Sequence, residues 1–392
     1  MAGQRRPSAR ILFDSRSPWL VEFAAALGRR MEVAAYSAMP RNFGRLSKRL
    51  RKATIFDPPL EVVEFPVQRG YFSSPLRYIL KEHRRIATWV QSGVRDPSAT
   101  WLVCCYPQYS KVAALWPGPV AYYATDLFAS YEGRSFRNVN ESEVALCRRA
   151  SLICPNSQRI ADHLVRDCAC DARKILVLPN AVRQSSVLPV PAVAPCELPD
   201  DCKTLPRPVA GVIGNMGVNV DWVMLEQVVT ATPWLSWLFV GPTSVRISDS
   251  AQSKARAGLL AGDGRVRFVG SKPYGELRAY ACSLDVAVLP YLKREPTYSG
   301  SSTRFYEHLA ACRPMLATGG VEEFLHKEPL LKILTSPAGW IDALQQLRGQ
   351  QFRDGFEEAR WQQSRRETWE ARAQRLCEEM LAHGASAAPM LA

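Results

Sequence analysis

No stretch of this 392-residue chain reaches the roughly 18 consecutive apolar residues that a bilayer-spanning helix needs. Met1 to Arg10 is basic, but Asp14 and Arg16 interrupt the apolar stretch that follows, so no secretory signal is expected and a cytoplasmic location is. Neither the dinucleotide form of G-x-G-x-x-G nor a G-x-x-x-x-G-K-[ST] loop occurs, which argues against a dehydrogenase and against a P-loop ATPase. Helix-turn-helix, zinc-finger and RNA-binding signatures are missing as well, which disfavours nucleic acid as a partner. The 11 cysteines follow no repeating interval, and Cys104, Cys105 and Cys154 stand in apolar runs, as buried reduced thiols do. Cys168-Ala169-Cys170 has no second Cys/His pair at ligand spacing, so no metal is expected. His83 and His163 fall within helical runs and read as packing or surface residues.

What remains is a chain with 47% apolar residues, long enough for two cores, whose apolar segments alternate between strand and helix character. Arg10–Phe13, Glu32–Tyr36, Leu60–Phe65, Trp101–Tyr106, Val120–Thr125, Leu152–Pro155 and Ile175–Leu178 read as strands, with helical runs between most of them. Strands this uniformly apolar predict a parallel sheet covered on both faces. The pattern halts where Pro189, Pro191, Pro195, Pro199 and Pro206 break regular structure, and restarts with Val209–Ile213. The expected class is α/β: a doubly wound domain over residues 1–186, a proline-rich linker over 187–207, and a second doubly wound domain over 208–350. Residues 351–392 should form C-terminal helices packing back toward the first domain, charged and helical from Phe352 to Leu381, and end in a flexible tail.

The net charge of +13 is concentrated near the N-terminus. Pro40 to Lys52 carries Arg41, Arg45, Lys48, Arg49, Arg51 and Lys52 with no acid, and Phe43, Leu46 and Leu50 would share one helical face. A basic amphipathic helix of that kind suits an anionic membrane surface, which would make the protein peripheral on the inner face of the cell membrane; a solvated helix with no partner is the plain alternative. Arg77, Lys81, Arg84 and Arg85 add a second basic cluster.

Ligands of open parallel sheets bind beyond the carboxyl ends of the strands. In the second half that rim collects Gly214-Asn215-Met216-Gly217, Gly241-Pro242, Pro290-Tyr291, and then Gly300-Ser301-Ser302-Thr303 at a helix start. Glycines permit close backbone approach, and helix-start amides favour a phosphate. Arg304 could neutralise a diphosphate, and Glu307 could accept two hydrogen bonds from a ribose diol, a role for a group with two adjacent acceptor oxygens. A plain i,i+3 salt bridge is the alternative use of that pair.

These residues carry a resemblance. Arg304-Phe305-Tyr306-Glu307-His308-Leu309-Ala310-Ala311-Cys312-Arg313-Pro314 looks like the nucleotide-sugar motif of GT-B glycosyltransferases, with Cys312 where that family usually has Gly. Val269-Gly270-Ser271-Lys272-Pro273-Tyr274-Gly275-Glu276-Leu277, Tyr122 to Leu127, Pro155-Asn156-Ser157, Leu178-Pro179-Asn180-Ala181 and Thr368-Trp369-Glu370-Ala371-Arg372 resemble the bacterial polysaccharide branch, which includes teichuronic-acid-type and xanthan glucuronosyl transferases. The resemblance implies two Rossmann-like domains facing across a cleft, with a C-terminal crossing helix. It implies sugar transfer from a nucleotide diphosphate sugar to a lipid-linked or polysaccharide acceptor, with no metal and no cofactor. Asp126, at a strand end in the first domain, is the candidate base, and Asp14 is the reserve. A nucleotide-sugar 2-epimerase of the same fold and a non-catalytic nucleotide-sugar-binding protein stay open.

Overall fold

The computed structural model describes residues 8–40, 50–56, 58–67, 71, 76–131, 139–262 and 264–386. The chain forms two compact units, the first made of Met1–Pro179 with Trp369–Ala392 and the second of Asn180–Thr368.

The first unit runs β1 (Ser8–Phe13), α1 (Pro18–Gly28), β2 (Glu32–Pro40), β3 (Arg51–Phe56), β4 (Pro59–Val67), α2 (Leu76–Gln91), β5 (Thr100–Cys104), α3 (Ser110–Ala114), β6 (Val120–Ala124), α4 (Val139–Arg149), β7 (Leu152–Pro155) and α5 (Gln158–Cys168). Its sheet has the order β3-β4-β2-β1-β5-β6-β7. Every pairing is parallel except that of β3 with β4. β5, β6 and β7 are buried at every residue, which is why the sequence shows them as unbroken apolar runs rather than alternating ones. Beyond β7, Leu176 and Leu178 donate amides to the carbonyls of Ile153 and Pro155 at 2.9 and 2.8 Å, so the strand expected at Ile175–Leu178 is reduced to a single bridge.

The expected basic helix does not extend to Lys52. Arg51 and Lys52 open β3, which pairs antiparallel with β4, and Lys52 Nζ lies 2.9 Å from Glu61 Oε1 on an exposed face. Thr54, Ile55 and Phe56 are β-branched or aromatic, and the strand preference of that run wins. Arg45, Lys48 and Arg49 lie outside the described residues.

The second unit runs β8 (Val209–Ile213), α6 (Trp222–Ala231), β9 (Ser236–Val240), α7 (Ser250–Leu260), β10 (Val266–Phe268), α8 (Leu277–Ser283), β11 (Val286–Leu289), α9 (Thr303–Ala311), β12 (Met315–Ala317), β13 (Lys332–Ile333), α10 (Pro337–Gly349) and α11 (Glu357–Arg366). Its sheet is wholly parallel, in the order β10-β9-β8-β11-β12-β13. The order reverses direction between β8 and β11, the place where a doubly wound sheet opens a crevice at its strand ends. The proline-rich stretch expected as a linker is part of this unit, because the division falls at Pro179 and Asn180. Cys196 donates its amide to Cys282 O at 2.9 Å, and Leu188, Leu198, Cys202 and Leu205 pack into a core cluster with Tyr280 and Leu284.

The charged C-terminal run divides into two helices that belong to different units. After α11 comes α12 (Trp369–Ser386), which belongs to the first unit and packs on α1, with Trp369 edge-on to Phe23 at 6.2 Å. The break is enforced at Glu367 and Thr368: Val182 donates its amide to Glu367 O at 2.7 Å and bridges Thr368, an extended geometry no helix can hold. Among the described residues no helix is long and apolar enough to cross a membrane.

Candidate functional site

In the second unit the rim is organised around one buried cation. Arg304, in the first turn of α9, is 9% exposed and reaches back over the loop after β8, donating Nη2 to the Asn215 carbonyl. Its guanidinium carbon sits 4.9 Å from the centre of the Tyr291 ring, within the range of a cation–π contact. Nη1 is buried and has no hydrogen-bond partner among the described residues. A buried charged donor left that way carries a desolvation cost of about 1–3 kcal/mol, and an anionic ligand is the natural means of removing it.

Glycine is required beneath it. Gly214 holds φ +122°, and a Cβ there would stand 2.2 Å from Arg304 Nε. Gly241 holds φ +148°, and its Cβ would lie 1.7 Å from the Gly214 carbonyl oxygen. The two strand ends therefore touch backbone to backbone, and Gly241 donates onward to Gly270 O at 2.8 Å. Asn215 is exposed beside them, whereas Met216 turns inward and is fully buried in the core. A Cβ on Gly217 would meet Asn215 Oδ1 at 2.8 Å.

The start of α9 differs from the simple phosphate cradle that its hydroxyls suggest. Ser302 caps the helix by accepting from Phe305 N at 3.3 Å, and its Oγ also lies 3.0 Å from the Tyr291 hydroxyl. Glu323 folds in from the loop after β12, and its Oε2 accepts from Ser302 N at 3.0 Å and from Ser301 Oγ at 2.9 Å. Tyr306 OH donates to the same carboxylate at 2.6 Å, and Lys327 Nζ lies 3.4 Å from it. Asn180 brackets Ser301 from the other side, donating N to Oγ at 3.0 Å and Nδ2 to the carbonyl at 2.7 Å. Ser301 and Ser302 are thus largely occupied in shaping the loop. Gly300 is buried, and the Thr303 and Arg304 amides are first-turn donors with no intrahelical acceptor by geometry.

Glu307 follows one turn later on the face of Arg304 and is 7% exposed. His308 was not foreseen. It is fully buried, with no hydrogen-bond partner for either ring nitrogen among the described residues, and burial followed by the charge of Arg304 pushes it down to about 3, so it is neutral. At the end of α9, Cys312 stands where a glycine is usual and takes the left-handed conformation a glycine would, with φ 60° and ψ 13°. The tight turn is made despite the side chain.

The first unit holds the two candidate bases, and their surroundings differ sharply. Asp126 follows β6 and is partly buried; burial raises its carboxyl to about 7, against the lowering effect of a hydrogen bond from Tyr131. Tyr106, Phe128 and Tyr131 form a chain of ring contacts beside it, at 5.8 and 6.1 Å. Asp14 is instead tied to Arg16, which gives its amide and Nε to Oδ1 at 3.0 and 2.9 Å and Nη2 to Oδ2 at 2.8 Å. Both oxygens of Asp14 are already committed.

Solved structures share this architecture across almost the entire chain. HepE from Anabaena, solved in complex with UDP and glucose, aligns with TM-score 0.68 at 12% identity, over 96% of this chain and 100% of that one. Sucrose-phosphate synthase from Thermosynechococcus elongatus aligns with TM-score 0.68 at 15% identity, over 97% and 100%. The fold is GT-B. In sequence, the chain is 22% identical over 284 residues to a Bacillus subtilis (strain 168) protein described as "Putative teichuronic acid biosynthesis glycosyltransferase TuaH", covering 68% of this chain and 69% of the relative. No protein-family model matches the chain.

Proposed function

We propose that this GT-B protein is a glycosyltransferase that moves a sugar from a nucleotide diphosphate sugar to a hydroxyl of a lipid-linked or polysaccharide acceptor. The observation that carries the reading is Arg304: a buried guanidinium over two glycine strand ends, with one nitrogen unpartnered among the described residues and Glu307 a turn away. In this reading Arg304 and the first amides of α9 bind the diphosphate, stabilising the charge that develops as it leaves. Glu307 binds the ribose diol, and Gly214 and Gly217 let the backbone approach the ligand. Asp126 takes the proton from the acceptor hydroxyl, and its tuning to about 7 suits that task near neutral pH. No metal takes part in the transfer. The relatives support the class: TuaH is described as a glycosyltransferase, and HepE was solved with UDP and glucose.

Uridine nucleotides are therefore the first donors to test. A thermal-shift panel of nucleoside diphosphates and nucleotide sugars should show a rise in Tm for one base, since a ligand at 100 times its Kd adds about 2.7 kcal/mol to stability. A flat panel across all bases would remove the donor assignment.

The acceptor and location are proposed from the charge near the N-terminus. Arg45, Lys48, Arg49, Arg51 and Lys52 would place the protein against the anionic inner face of the cell membrane, and nucleic acid is not proposed as a partner. Co-sedimentation with vesicles should rise with their anionic lipid content and fall with salt. Equal binding to neutral vesicles would end the membrane part alone.

A further inference from the structure

Behind the strand that leads to Asp126, α4 and α5 bring together a second set of chemically active side chains. Tyr122 on β6 donates its hydroxyl to Glu143 Oε1 at 2.6 Å and so fixes that carboxylate. Glu143 is 1% exposed, and its other oxygen has no hydrogen-bond partner among the described residues. His163 Nε2 faces that oxygen at 3.8 Å, too long for a hydrogen bond, while Nδ1 meets Asp167 Oδ2 at 2.7 Å. Cys168 Sγ completes a group whose three ligand atoms lie within 4.8 Å of one another. Ala169 caps α5 at φ 53° and ψ 38°, a left-handed turn uncommon for alanine, between Cys168 and Cys170.

We propose that Glu143, His163 and Cys168 hold a zinc-class divalent cation that pins α4 to α5. Ligands of a tetrahedral zinc at bond lengths near 2.0–2.3 Å stand about 3.3–3.8 Å apart, so the 3.8 Å gap between His163 and Glu143 fits, and Cys168 Sγ, within 4.8 Å of both, needs to close by no more than an ångström or so. Thiolate and imidazole donors select zinc over magnesium or calcium. The outer partners are of the kind that orient metal ligands: a carboxylate on the distal histidine nitrogen and a phenol on the far oxygen of Glu143. A cation also gives the buried Glu143 oxygen a partner, which it lacks among the described residues. The three ligands are largely covered and join α4 to α5, and none of them is among the residues proposed for sugar transfer, so the cation's role is to hold the two helices together. The C-x-C pair alone could not reveal it, because the partners of Cys168 stand 5 and 25 residues upstream, on two different helices.

The full chain, equilibrated with zinc and then dialysed into metal-free buffer, should retain one zinc per molecule by elemental analysis. Cobalt in place of zinc should give a thiolate charge-transfer band. Cys168→Ser should lose both signals, and Asp167→Asn should weaken zinc binding by roughly 10–100-fold. Cys196→Ser, at an exposed cysteine, should change neither. A wild-type chain that holds no zinc after equilibration overturns the proposal even if the variants fail to fold. Zinc retained by a folded Cys168→Ser overturns it too.

Discussion

Arg304→Met should raise the Kd for the donor diphosphate by about 10–150-fold, the equivalent of losing one or two charge-assisted hydrogen bonds worth about 1.5–3 kcal/mol. Methionine keeps much of the buried stem, so the loss should concentrate in the charge rather than in packing. Transfer should fall further than binding, by about 10²–10³, because the cation meets more negative charge once the sugar bond breaks. Gly214→Ala should reproduce this without touching the arginine chemically. Its Cβ would sit 2.2 Å from Nε, and φ +122° is a conformation that alanine adopts only under strain. Either the guanidinium moves or the loop does. The double variant should then bind little worse than either single one, since both remove the same contact, and a double-mutant cycle reads that coupling directly. Calorimetry on folded Arg304→Met that gave unchanged affinity would take the diphosphate away from Arg304. Fully additive losses would instead mean that Gly214 acts independently of it.

The fold was readable wherever burial is two-sided. Strands such as Trp101–Tyr106 and Val120–Thr125 are apolar throughout, and only a covered parallel sheet accounts for that pattern. Reading failed at edges and at junctions. β3 is an edge strand with an exposed Lys52–Glu61 pair, so its basic residues imitate one face of a solvated helix. The division of the C-terminal run at Glu367 is set by Val182, far away in sequence, and no local propensity encodes it. The same limit applies to the proposed donor site. Glycines and an Arg–Glu pair one turn apart are local signals and stand out, whereas Glu323, which engages Ser301 and Ser302, returns from a separate loop. The Glu143–His163–Cys168 group is legible only once α4 and α5 are packed together.

Asp126→Asn separates catalysis from structure because the two roles move in opposite directions. If Asp126 is the base, kcat/KM in the wild type should rise with pH to a plateau, with its midpoint at about 7. The Asn variant should bind donor normally and lose about 10²–10⁴ of the transfer rate, with that pH rise abolished. Stability should change the other way. The folded carboxyl sits at about 7 against an ordinary value of 3.8, so between those limits the folded state holds a proton that the unfolded chain has lost. Raising pH through that window therefore costs the wild type stability, on the order of 2–4 kcal/mol at full deprotonation, with the lower part expected because Asp126 is only partly covered. Asparagine resembles the neutral acid and does not incur that loss. The variant should accordingly melt higher than the wild type at pH 8, and the gap should close as pH falls toward 4. A variant that is less active yet more stable is the signature of a strained functional group. One that melts lower at every pH would make Asp126 a structural cap for the turn after β6, and normal turnover would exclude it as the base.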